Sequence, residues 1–217
     1  MQQSKAIVIT QGIPFRLVAS MLCVALAIAT STIFHVGNLP GHMFLPMHIP
    51  IIVCGFVCGH KCGGVAGFVT PFISHFITGR PIASPMPVVY FMAFELAAYG
   101  FFAGLFYWMF FRKKREKTVV EVKAEGEKNG WVDIVVEGAL IVAALAISLV
   151  LGRVAFGLAR LPFMGAGNFG WSAFMRSMFV TSLPGIAVQI VFIPILIVCL
   201  RRGRVIGSER ENTFGAL

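Results

Sequence analysis

The sequence predicts an all-α integral membrane bundle of six transmembrane helices with both termini on the cytoplasmic side. Three observations lead there. Of the 217 residues 58% are hydrophobic and only 12% charged, too little polar surface to cover a water-soluble globule. The apolar residues gather into six segments separated by short polar or basic stretches. The cationic residues concentrate in alternate connections, as the positive-inside bias requires. The net charge of +9 is therefore read as basic loops that orient the chain, not as a nucleic-acid footprint. The whole chain, 1–217, is read as a single membrane domain in a multi-pass protein of the bacterial plasma membrane.

The first segment, about Phe15 to Phe34, is long enough to cross a hydrocarbon core of roughly 30 Å at ~1.5 Å per residue. It lacks a small-residue cleavage pattern before a polar domain, so a retained helix is preferred to a signal peptide. The second, about Pro46 to Gly59, and the third, about Gly63 to Thr78, are short and form a tight hairpin across a turn at His60-Lys61-Cys62. The fourth, about Val88 to Phe111, and the fifth, about Val132 to Leu158, are full length. The sixth, about Pro184 to Leu200, carries Pro194 as an expected kink. A charged connector at about 112–130 reads as a solvated loop or helix extension, and 207–217 as a frayed tail. Arg112-Lys113-Lys114-Arg115, Arg201-Arg202-Gly203-Arg204, Lys61, Lys5 and Arg16 all fall on one face if the N terminus is cytoplasmic.

The stretch Met43 to Gly104 is almost wholly apolar, yet His48, His75 and Glu95 interrupt it. Ionisable groups at membrane depth are costly and by default functional. In this orientation His48 starts segment two on the outer side, and Glu95 sits about two turns below the outer start of segment four. Arg153 falls near the outer end of segment five and Gln189 near the outer start of segment six. The inner half holds chiefly Asp133 and Glu137 near the interface, and the asymmetry implies a polar cavity opening outward. Each residue also has a plainer reading. Glu95 and Arg153 can neutralise one another, His48 can donate to a backbone carbonyl, and His75 or Gln189 can bond between helices. The outer loop 161–182, with Asn168, Phe169, Trp171 and Phe174, is either a lid over a ligand or an interfacial aromatic belt. Arg160 and Arg176 are either ligand contacts or snorkelling residues.

Several chemistries find no support. There is no Walker-type phosphate loop. Cys54, Cys58 and Cys62 repeat every four residues beside His60, but a four-ligand zinc pattern is absent and they read as small buried residues. No metal and no cofactor is expected. Gly55, Gly59, Gly63 and Gly67, with Gly100 and Gly104, form small-xxx-small rows that let helix backbones approach closely. Segment one carries Ala25-x-x-x-Ala29, and Ala19, Cys23, Ala27 and Ser31 on a neighbouring row. One row can pack inside the bundle while the other presents a smooth face to a second membrane protein.

The stretches GHMFLPMHIPIIVCGFVCG, GFVTPFISHFITGRP, MAFELAAYGFFAG and TSLPGIAVQIVFIPILI resemble the substrate-binding S components of energy-coupling-factor (ECF) vitamin transporters. The likeness is greatest to the subgroup that includes riboflavin, folate and pantothenate binders. It covers nearly the whole chain, and MHIP and FELAAYG are its most specific parts. The resemblance implies a six-helix, non-enzymatic subunit that captures a micronutrient from outside, then releases it with a transmembrane T subunit and two ATPases. It also gives Ala25 and Ala29 a meaning, since the family docks its T subunit through an alanine-x-x-x-alanine motif on helix one. The candidate substrate-binding set is His48, Glu95, Tyr99, Arg153, Arg160, Asn168, Trp171, Arg176 and Gln189. Arg153, Arg160 and Arg176 suit a substrate with a carboxylate, such as a pantothenate-like acid; pairing of Glu95 with Arg153 leaves a neutral ligand open. The alternative function is a self-sufficient proton-coupled secondary transporter using Glu95 and the histidines as a relay. A lipid-modifying enzyme finds only Ser74 beside His75, adjacent on a helix and so not facing one another.

Overall fold

The computed structural model describes residues 13–37, 45–79, 88–122, 130–163 and 183–202. Among these there is no strand. Six α-helices follow one another: α1 (Ile13–Val36), α2 (His48–Cys58), α3 (His60–Thr78), α4 (Val88–Val122), α5 (Gly130–Arg160) and α6 (Leu183–Arg202), with a 3-10 turn at Leu161–Phe163. Four contain stretches long and apolar enough to cross a membrane: Pro14–Val36, Val88–Phe110, Val135–Arg160 and Leu183–Leu200. The 11-residue α2 reaches only about 16 Å at ~1.5 Å per residue.

One boundary differs from the sequence expectation. The reversal between α2 and α3 is a single residue, Gly59, and His60-Lys61-Cys62 belong to the first turn of α3. Gly59 holds φ 93° and ψ 169°, a conformation essentially confined to glycine. Its N–H donates to the Gly55 carbonyl at 3.1 Å while its own carbonyl accepts from Gly63 N–H at 2.9 Å. One residue thus closes α2 and opens α3. Helix α4 continues past Phe111 to Val122, which decides between the two readings of the charged connector for its first half in favour of a helix extension. Its connector is rich in Lys, Arg and Glu, good helix formers that stop the apolar stretch without stopping the helix. Pro50 falls in the first turn of α2, where its missing N–H costs nothing, whereas Pro71 and Pro194 lie inside α3 and α6.

The glycines set the packing. A Cβ on Gly55 would strike the Gly100 carbonyl, one on Gly63 would lie 2.6 Å from that same oxygen, and one on Gly67 would strike the Leu96 carbonyl. A Cβ on Gly104 would lie 2.7 Å from the Gly55 carbonyl oxygen. Helices α2, α3 and α4 therefore meet backbone against backbone, the close approach that small residues permit. The pairings also give direction. Gly55 to Gly100 and Gly104, below His48 to Tyr99, sets α2 parallel to α4; His60 to Gly104 and Gly67 to Leu96 sets α3 antiparallel. On the other side of α4, Phe91 meets Phe156 and Tyr99 meets Gly152, so α5 is antiparallel too.

Around this centre α1 packs on α2 and α3, and α6 packs on α5 and α2. Helix α6 buries Gln189, Ile193 and Ile197, an i, i+4, i+8 row facing inward. Helix α1 turns Ala27 into the core with Ala19, Cys23 and Val24 beside it. Leu17, Val18, Met21, Leu22, Leu26 and Ile33 are exposed, as are Ala25 and Ala29. The two small-residue rows on α1 thus part as expected, one inward and one outward.

Candidate functional site

Glu95 and Arg153 reach one another because of where they lie on antiparallel helices. Glu95 is seven residues after the start of α4 and Arg153 seven before the end of α5, each about 10 Å along its helix. Glu95 Oε1 stands 3.0 Å from Arg153 Nη1. One helical turn further, at i+4, Tyr99 lies on the same face of α4, and its hydroxyl donates to that oxygen at 3.1 Å. His48 Nε2 approaches it at 3.6 Å, beyond hydrogen-bond length. The His48 and Tyr99 rings meet edge to face, centroids 5.2 Å apart. Three side chains from three helices thus converge on one oxygen of Glu95, and none of the four residues is more than 4% exposed.

Backbone choices hold the cluster in place. A Cβ at Gly152 would overlap the Tyr99 ring, so the glycine beside Arg153 is what lets the phenol lie flat on α5. His48 is the first residue of α2, yet its ring reaches Tyr99, eleven residues into α4. Helix α2 therefore begins well below the start of α4, at the depth of the cluster, which is why it is short. The chain enters it through buried Pro46 and Met47, with Leu45 at φ 51° and its carbonyl accepting from His48 N–H at 3.0 Å. The positive end of the α2 dipole consequently lies within the bundle, on the side of Glu95.

Not every buried polar atom is used. Among the described residues, Arg153 Nε and Nη2, both ring nitrogens of His48, and both amide atoms of Gln189 have no hydrogen-bond partner. Each such group, left unpaired, costs about 1–3 kcal/mol. The hydroxyls of Thr70 and Ser148, by contrast, bond the carbonyls of Ala66 at 2.6 Å and Leu145 at 2.8 Å. Unpaired polar groups thus gather on the elements that carry the sequence candidates.

Of the predicted residues, the structure brings His48, Glu95, Tyr99 and Arg153 into contact. Gln189 is fully buried on α6 but makes no hydrogen bond to the four. Arg160 is half-buried at the end of α5, about two turns beyond Arg153. Asn168, Trp171 and Arg176 lie outside the described residues. Among the described residues no three His, Cys, Asp or Glu side chains are grouped to hold a metal. Sequence reading missed Gly152; its place beside Arg153, within a helix otherwise rich in alanine and leucine, was the available signal.

The sequence profile of the family described as "ECF transporter, substrate-specific component" matches residues 16–203. The chain belongs to this family. It is a family of transporter subunits, not of enzymes, and membership makes this S component a substrate-binding transporter subunit in a membrane. No curated protein and no solved structure matches the chain.

Proposed function

We propose that this S component captures a vitamin-like micronutrient at the outer side of a bacterial plasma membrane and passes it inward with a T subunit and two ATPases. The carrying observation is the buried cluster: His48, Glu95, Tyr99 and Arg153 contact one another at one depth and still hold unpaired donors. In this reading both termini are cytoplasmic, the six helices all traverse the bilayer, and α2 is completed by the segment that precedes it. The basic runs after α4 and α6 and Lys61 at the α2–α3 reversal then share the inner face. The cluster lies in the outer half as the pocket floor, with Gln189 and Arg160 lining it; Asn168, Trp171 and Arg176 lie outside the described residues. Ala25 and Ala29, exposed on α1, offer the smooth surface for the T subunit.

Proton-coupled transport by this chain alone finds less support. Below Tyr99, α2, α3 and α4 meet backbone to backbone at Gly55, Gly63, Gly100 and Gly104, which leaves no room there for a relay of side chains. The two readings separate in proteoliposomes offered a radiolabelled vitamin panel from outside. Uptake that requires ATP, a T subunit and the ATPases supports capture; uptake by the lone chain driven by a proton gradient would sink it.

A further inference from the structure

The Arg153 guanidinium is only partly used by Glu95. Nη1 faces the carboxylate at 3.0 Å, while Nε and Nη2 are buried and without hydrogen-bond partners among the described residues. In a guanidinium group Nε–H and one N–H of Nη2 point the same way along a single edge, a fork matching two oxygens of a planar anion. Glu95 therefore holds the guanidinium through the nitrogen that does not belong to that fork. Tyr99 and His48 bear on the same Glu95 oxygen, so the carboxylate is itself fixed and fixes the plane of the fork. Such an arrangement makes Glu95 a positioning residue and leaves Arg153 as the receptor.

We propose that the side edge of Arg153 binds a carboxylate of the transported substrate, so the substrate is a carboxylic acid. This rests on the capture reading given above. The incoming anion sits across the guanidinium from Glu95, with the cation between them. The two anions are then separated by about twice the cation–anion distance, so by Coulomb's law their repulsion is about half of each attraction. A single negative charge is accommodated on those terms. A phosphate dianion scales attraction and repulsion alike but brings a second charge that must be desolvated against a single cation, which favours a carboxylate over a phosphate. Lysine cannot replace this group, since an ammonium is a point charge without the fork.

The test uses matched pairs on the purified full-length chain in detergent: pantothenate and panthenol, nicotinate and nicotinamide, biotin and biotinamide, pyridoxal phosphate and pyridoxal. Isothermal titration is expected to find an acid that binds, with its neutral twin weaker by about 100-fold, the worth of a buried bidentate charged pair. Arg153→Lys, shown folded by its size-exclusion profile, is expected to lose a similar factor for the acid while binding of the neutral twin stays within about threefold. Equal binding of acid and twin, binding of neutral compounds alone, or binding of the phosphate alone overturns the carboxylate assignment and leaves capture standing. If no compound of the panel binds at millimolar concentration, the capture reading falls and the assignment with it. The wild-type comparison decides even if Arg153→Lys fails to fold.

Discussion

Removing the charge of Glu95 while keeping its shape is the most informative perturbation. In Glu95→Gln the amide oxygen still accepts from the Tyr99 hydroxyl, now 3.1 Å from Oε1. The Arg153 guanidinium, 4% exposed, keeps its charge and loses the carboxylate at 3.0 Å that pairs with it among the described residues. Stranding one member of a buried pair costs about 3–5 kcal/mol. With about 2–4 °C of melting temperature per kcal/mol for a chain of this size, the expected fall is on the order of 10 °C. Arg153→Met strands Glu95 in the same way and is expected to cost a similar amount. The double variant Glu95→Gln/Arg153→Met removes both charges, and such replacements are often neutral or stabilising. Its loss should therefore be smaller than either single loss, a coupling of several kcal/mol. Thermal unfolding in one detergent, followed by tryptophan fluorescence, measures all four proteins. Single variants within about 2 °C of wild type, or a double loss equal to the sum of the singles, would refute the reasoning.

Four further outcomes follow from the packing. Tyr99→Phe removes a hydrogen bond to a buried carboxylate and is expected to cost about 1.5–3 kcal/mol in the same unfolding assay. Gly100→Leu drives side-chain atoms into the Gly63 carbonyl; more than about 3 kcal/mol should be lost, visible as disappearance of the monodisperse size-exclusion peak. Gly59→Ala at φ 93° should cost about 1–3 kcal/mol, whereas Gly138→Ala, with nothing within 4 Å of the added Cβ, should gain about 0.5–1 kcal/mol. Ala25→Leu with Ala29→Leu is expected to leave ligand binding within about twofold while abolishing co-purification with the T subunit.

The six helices were legible because hydropathy and length mark apolar runs, four of them long enough to cross a membrane. The place of the α2–α3 reversal was not, since Gly59, Gly63 and Gly64 compete in GHKCGG and only dihedral angles single out Gly59. The continuation of α4 past Phe111 was one of two readings the sequence left open, because charge ends a membrane span, not a helix. At the site, counting residues from helix ends placed both Glu95 and Arg153 in the outer half, and Tyr99 stood in the candidate set with them. Their convergence on a single oxygen depends on how three helices are rotated about their axes, which no one-dimensional pattern carries. Whether Glu95 pairs with Arg153 was open for the same reason, and the 3.0 Å contact answers it.

The central claim is that the buried cluster is where this subunit holds its substrate. Equilibrium dialysis with the best ligand of the vitamin panel, on wild type and on Glu95→Gln/Arg153→Met, tests it most directly. The account predicts one ligand per wild-type chain, and about 100-fold weaker binding by a double variant that melts near the wild-type temperature. Wild-type affinity in that folded double variant would contradict it.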